Sequence, residues 1–235
     1  FFKATFSVMG FLAKADGRVS ETEIKVAQKI MQDLGLNSEM RSEAIHLFNT
    51  GKQTDFNMQE VLSQLHQACG GDKRLLNYFL ELQFEAALAD GALNQFEEKI
   101  LLNIAKILKL SSLEVQQLWL RMQSYQSFYE FFSQARSGFN ARQQGFNQGH
   151  RQQQGQYGQH SQPGQSLDHA YGVLGVKPNA AVNEIKQAYR RLMNQHHPDK
   201  LVSKGLPPEM LKRAKEKVQE ITAAYDLIRQ EKGFK

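Results

Sequence analysis

One segment of this chain is written twice, and that limits its fold more than any other feature. Ala13-Lys-Ala-Asp-Gly-Arg-Val-Ser-Glu-Thr-Glu23 aligns with Ala87-Leu-Ala-Asp-Gly-Ala-Leu-Asn-Gln-Phe-Glu97. At the same offset Ile30, Leu34 and Leu36 match Ile104, Leu108 and Leu110. Each copy reads as a helix, an Asp-Gly turn and a second helix of similar length. Neither half buries its apolar face alone, so the halves are expected to pack as a pseudo-symmetric bundle. Helical apolar patterns run through 2–15, 21–34, 39–49, 58–68, 75–89, 96–108 and 112–123, then an aromatic run at 125–132. No period-two strand interrupts them. Residues 1–132 are therefore expected to form an all-α domain.

The duplicated Ala-Asp-Gly, with a Glu seven residues after the Asp, resembles the TerB-like helical domain. That resemblance implies a divalent cation held by Asp16, Glu23, Asp90 and Glu97. Helix capping explains the same spacing. Ser20-Glu-Thr-Glu23 has the form of a capping box, and Asn94-Gln-Phe-Glu97 has a good N-cap with Glu again at N3. Asp16 and Asp90 then serve as turn residues before their glycines. A Ca²⁺ ion needs six or more oxygens, so four carboxylates would serve it only if the two turns meet in space. Phe79, Phe84, Phe96, Trp119, Phe128, Tyr129, Phe131 and Phe132 form core or a client groove, with some of 128–132 exposed on any helix.

From Ser133 to Ser166 Gln, Gly, Asn and Ser dominate, aromatics stand singly and no acid occurs. This segment is expected to be a flexible linker, about 30 Å in root-mean-square span, that lets the following domain search around the first.

Residues 167–235 make a third segment. Asp168–Leu174 is expected to be a short helix stopped by Gly175. A helix from Val182 to His196 follows, with Ile185, Ala188, Tyr189 and Leu192 as its apolar stripe. Lys186 and Arg190 stand four apart on another face with Arg191 beside them, a repulsive pairing that an acidic partner would relieve. Pro198 has no N–H and drives His197 out of the α region, so the helix ends there. Leu201–Leu206 is expected to be an exposed loop. Pro207-Pro208-Glu209 opens a last helix striped by Leu211, Ala214, Val218, Ile221, Tyr225 and Ile228. That stripe is expected to bury against Ile185, Tyr189 and Leu192 in a hairpin with His-Pro-Asp at its tip.

The run Leu167-Asp-His-Ala-Tyr-Gly-Val-Leu-Gly-Val176, the basic helix, His197-Pro198-Asp199 and Ala223-Ala-Tyr225 together resemble a J domain. J domains are the part of DnaJ-type co-chaperones that contacts a DnaK-type ATPase. The resemblance implies that His197, Pro198 and Asp199 trigger hydrolysis in the partner, and that Lys186, Arg190 and Arg191 dock on it. It gives Tyr189 a role divided between core and contact, and makes Lys200 a basic position just past the motif. His196 stands where an aromatic is frequent in the family, the loop after Lys200 is long, and no clear fourth helix follows Tyr225. The order of TerB-like domain, Gln/Gly-rich linker and terminal J domain resembles the DjlA type of membrane-anchored co-chaperone. That type implies the cytoplasmic face of a bacterial inner membrane, an anchor upstream of Phe1, and a homodimer formed through that anchor.

Charge narrows the partners. Residues 167–235 carry 13 Lys/Arg against 8 Asp/Glu, a surplus equal to the net +5 of all 235 residues. Residues 1–132 carry 13 against 16. Nucleic acid is not the expected partner of the basic segment, because Asp199 beside the basic face would be repelled by phosphates. A protein with an acidic patch fits better. The single cysteine, Cys69, excludes an internal disulfide framework and reads as a small core residue. No phosphate loop or catalytic triad is present, so the chain is not expected to be an enzyme. No cofactor is expected beyond that cation. The alternative is an adaptor or stress protein whose TerB-like domain binds a specific partner, client or divalent metal.

Overall fold

Among the described residues the helices of the repeat recur in the backbone at one offset. In this computed structural model residues 1–15, 21–88, 93–125 and 163–234 are described, with side chains except at 21–24, 26, 163–166 and 209. Helices α1 (Phe2–Ala13), α2 (Glu21–Asp33) and α3 (Ser38–Gly51) are followed by α4 (Met58–Ala68). Next come α5 (Lys73–Ala87), α6 (Gln95–Ile107) and α7, described over 112–125. Helices α2 and α6 begin and end 74 positions apart, and α3 and α7 begin with that same offset. The caps repeat too. Asn37 accepts from the Met40 amide at 2.9 Å. Ser111 accepts from the Glu114 amide at 3.2 Å, and Glu114 returns to the Ser111 amide at 2.7 Å. Among the described residues every regular element is helical.

The C-terminal part contains α8 (Pro163–Leu174), α9 (Val182–His196), α10 (Pro198–Val202), a 3₁₀ turn (Pro208–Met210) and α11 (Leu211–Lys232). Helix α8 starts five residues earlier than the sequence pattern indicates, at a proline suited to a first turn. The described chain divides into two compact units. One is 1–119 with 191–219, the other 120–190 with 220–235, and α9 and α11 contribute to both.

In the first unit α1 makes its most extensive contact with α3. Two glycines permit that approach. A Cβ at residue 10 would lie 1.9 Å from the Phe48 carbonyl oxygen, and one at residue 51 would lie 1.8 Å from the Ser7 carbonyl oxygen. Phe6, Met9, Ile30, Met31, Phe48, Tyr78 and Leu82 fill one core cluster between the helices. Gln83, fully buried on α5, donates its side-chain NH₂ to the Thr5 carbonyl at 3.2 Å and so ties α5 to α1 in the interior.

Leu201, Leu206, Met210 and Ala214 belong to that same cluster. One expectation changes as a result. The stretch 201–206 is not an exposed loop throughout, because Leu201 is 0% and Leu206 3% exposed. The reason is apolar area: each fully buried leucine or methionine is worth about 1.5–3 kcal/mol. The linker expected at 133–166 lies outside the described residues up to 162, as do 126–132 of the aromatic run.

In the second unit α8, the first turns of α9 and the last turns of α11 pack together. Val173, Leu174, Ile185, Ala188, Ile221 and Ile228 are buried there. Of the expected stripe on α11, Ala214, Ile221 and Ile228 are fully buried and Leu211, Val218 and Tyr225 half-buried.

Candidate functional site

The site is built on α9 and the corner that follows it. At the start of the helix the Glu184 carboxylate accepts from the Ala181 amide at 3.0 Å, as an N3 acid should. Ile185, Ala188 and Leu192 are turned inward at 0%, 5% and 0% exposure, which fixes the rotation of the helix. Arg190 and Arg191 are consequently exposed and Lys186 half-buried.

Lys186 is less independent than its position suggests. Its Nζ lies 5.4 Å from the centre of the Phe234 ring. Phe234 follows Gly233, whose φ of 64° turns the chain back at the end of α11. The ring also meets Tyr225 edge-on, with centroids 6.0 Å apart. Phe234 carries no sequence motif of its own. The available signal is an aromatic placed directly after a helix-ending glycine.

Helix α9 stops at His196, and His197 takes φ −60° and ψ 123°, an extended conformation that Pro198 enforces. His197 is then the N-cap of α10, with Pro198 at N1. Its Nδ1 accepts from the Asp199 amide at 3.3 Å, so Nδ1 carries no proton and Nε2–H remains as an outward donor. The His197 side chain is 43% exposed and the Asp199 carboxylate 91%, with Nδ1 and Oδ2 4.0 Å apart. Lys200 is exposed and its ammonium donates to the side-chain oxygen of Asn194, one turn back on α9. Leu201, fully buried, pins the short helix from below. Gly205, at φ 96°, closes α10, with the Leu206 amide bonding back to the Leu201 carbonyl at 3.0 Å.

His196 faces the other way. It is 0% exposed and its Nε2 lies 3.5 Å from Oε1 of Glu81 on α5, itself 2% exposed. The two adjacent histidines therefore have separate environments, one inside the protein and one at its surface. The geometry supplies a stiff corner with one imidazole donor, one carboxylate and several cations within two helical turns. It can recognise a charged protein surface through directed, charge-assisted bonds.

The cation set is only partly described. Glu97 is buried at 5% exposure, and its Oε2 accepts from the Asn94 amide at 2.9 Å while Asn94 Oδ1 accepts from the Glu97 amide at 3.0 Å. The capping reading of that position holds. Asp16, Asp90, Ser20 and the side chain of Glu23 lie outside the described residues. Among the described residues no group of three or more His, Cys, Asp and Glu side chains is placed to hold a metal ion. Cys69 is half-buried at the end of α4, where burial pushes its thiol pKa up.

Two family models match the chain. Residues 2–122 match the tellurite resistance protein TerB, and residues 169–233 match the DnaJ domain. The chain is 46% identical, over its whole length, to the co-chaperone protein DjlA of Photobacterium profundum, covering 79% of that protein. It is likewise 46% identical over its whole length to the DjlA of Vibrio cholerae, again covering 79%. To the DjlA of Escherichia coli it is 41% identical over its whole length, covering 80%. No solved structure matches.

Proposed function

Since this chain belongs to the DjlA family of co-chaperones, with a TerB domain followed by a DnaJ domain, we propose that it stimulates ATP hydrolysis by a DnaK-type chaperone through His197, Pro198 and Asp199. The observation that carries this reading is the exposed corner itself. The tip residues are offered to solvent while Leu201 and Leu192, just below, are completely buried.

Each residue has a physical task. Nε2–H of His197 and the carboxylate of Asp199 form directional contacts with the partner. Pro198 holds their relative geometry, so little conformational entropy is lost on docking. Arg190, Arg191 and Lys200 attract an acidic patch and speed encounter, and Lys186 adds to them from its place beside Phe234. Stimulation requires that the corner bind the hydrolysis-competent state of the partner more tightly than the other state. The chain itself performs no chemistry in this scheme. The proposed cellular site is the cytoplasmic face of a bacterial inner membrane, with the tether supplied outside these residues. Among the described helices none is long and apolar enough to cross a membrane.

The test is steady-state ATP turnover by a DnaK-type chaperone with this chain and with its His197→Gln variant. The native chain is expected to raise turnover several-fold and the variant to leave it at the basal rate with an unchanged circular-dichroism spectrum. Equal stimulation by both would remove the proposal.

A further inference from the structure

The stretch behind the corner is clamped by polar groups as well as by its apolar side chains. Arg213, on the first turn of α11, meets Glu85 of α5 through a two-pronged ion pair and holds Glu216 at 3.0 Å. Tyr78, 2% exposed, donates its hydroxyl to the Met210 carbonyl at 3.0 Å. Lys204 lies 3.7 Å from the Asp72 carboxylate, and Lys212 donates to the Gln32 carbonyl at 3.4 Å. Burial opposes ionisation of Glu85, yet Arg213 and Lys217 hold its carboxyl below the usual range. These bonds hold segment 203–213 at several points along its length. Asp199, Lys200, Arg190 and Arg191 stay exposed.

We propose that the N-terminal bundle is an intramolecular docking platform for the segment that follows His-Pro-Asp, and that the DnaK-type partner engages the corner while that segment remains docked. The bundle then sets how the corner is presented, and Arg213 is a positioning residue acting through Glu85. An ion pair so placed selects one register: a guanidinium facing two oxygens of one carboxylate tolerates little sliding. Replacing either partner alone leaves the other charge poorly solvated in the docked state, so a single substitution costs more than the pair itself contributes. The second clause of the proposal rests on the co-chaperone reading; the docking itself does not.

The experiment uses the full chain with Cys69→Ser, Gln32→Cys and Lys212→Cys, both new thiols lying at exposed positions away from the corner. A short bismaleimide with a cleavable disulfide spacer is added to the folded protein, and ATP turnover by the chaperone is measured before treatment, after it and after reduction. The expected result is near-complete intramolecular cross-linking, with stimulation within twofold of the untreated protein at each stage. Failure to cross-link would overturn the docking. Cross-linking that abolishes stimulation until the spacer is reduced would overturn the second clause, since the docked state would then be a blocked one. If the untreated protein fails to stimulate, the co-chaperone reading falls, while docking is still decided by the cross-link. In parallel, Glu85→Arg and Arg213→Glu should each raise amide exchange across 201–210 at least tenfold, and the swapped double variant should restore protection. Absence of rescue by the swap would remove Arg213 from its positioning role.

Discussion

The rings of Tyr189 and Tyr225 stack with centroids 4.2 Å apart and planes 19° from parallel, joining α9 to α11 directly behind the basic face. Tyr189 thus spends one face of its ring on an internal contact. Stacked pairs contribute about 0.5–1.5 kcal/mol beyond the area they bury. Tyr225→Ala is expected to destabilise the C-terminal helices by about 2 kcal/mol in urea denaturation, and Tyr225→Phe by well under 1 kcal/mol. A negligible effect of the alanine would show that the stack is not part of what holds α9 in place.

The cations should act chiefly on encounter. Replacing Arg190 and Arg191 with glutamate is expected to slow association with the DnaK-type chaperone at least tenfold at low salt, with dissociation little changed. The difference from native should shrink above about 0.5 M salt as screening sets in. Stopped-flow binding across ionic strength measures this, and a salt-independent defect would point instead to lost structure.

Phe234 constrains Lys186 and packs on Tyr225. Phe234→Ala is expected to weaken chaperone binding by less than threefold while lowering stability by about 1 kcal/mol. Tighter binding than native would mean that the ring holds the lysine away from the partner.

The close crossing of α1 and α3 allows no side chain at residue 10. Gly10→Ala places a methyl 1.9 Å from the Phe48 carbonyl oxygen, backbone that cannot swing aside. The expected cost is about 3 kcal/mol, against a gain below 1 kcal/mol for the same change at an ordinary exposed helix position. Thermal unfolding measures it.

Acid stability should depend on Asp72. Its carboxylate accepts from the Arg74 guanidinium at 2.8 Å and 3.1 Å and from the Arg74 amide at 3.0 Å, which pulls its pKa from 3.8 to about 2. Between those values the unfolded chain binds the proton that the folded one refuses. The stabilisation is therefore complete above about pH 4 and disappears as pH falls towards 2. Asp72→Asn, which keeps an N-cap acceptor, should lower the melting temperature near neutral pH and converge with native near pH 2. Glu114 behaves alike: the Ser111 amide and then the Lys73 ammonium hold it near 2, so Glu114→Gln should show the same convergence.

Much of this molecule can be read from local spacing. Val182 and His196 bound α9 as their pattern indicates, because the apolar stripe and the proline that ends it lie within one segment. The extended conformation of His197 follows from the residue after it. The repeat announces two matching halves, and Asn94 and Glu97 announce the cap they form. All of these are interactions between residues a few positions apart, where chain geometry alone decides what meets.

Other features depend on surfaces that meet only in the folded protein. Leu201 and Leu206 stand in a stretch rich in lysine, serine and glycine, and nothing local shows that both are buried against the bundle. Arg213 and Glu85 are 128 positions apart, and Tyr78 lies 132 positions from the carbonyl it meets. Nothing beside His196 in the sequence names its neighbour; packing against α5 puts Glu81 beside it. Helical periodicity tells a side chain which way to face. It does not name the partner, because a buried face is satisfied by any complementary surface and the chain's path chooses among them.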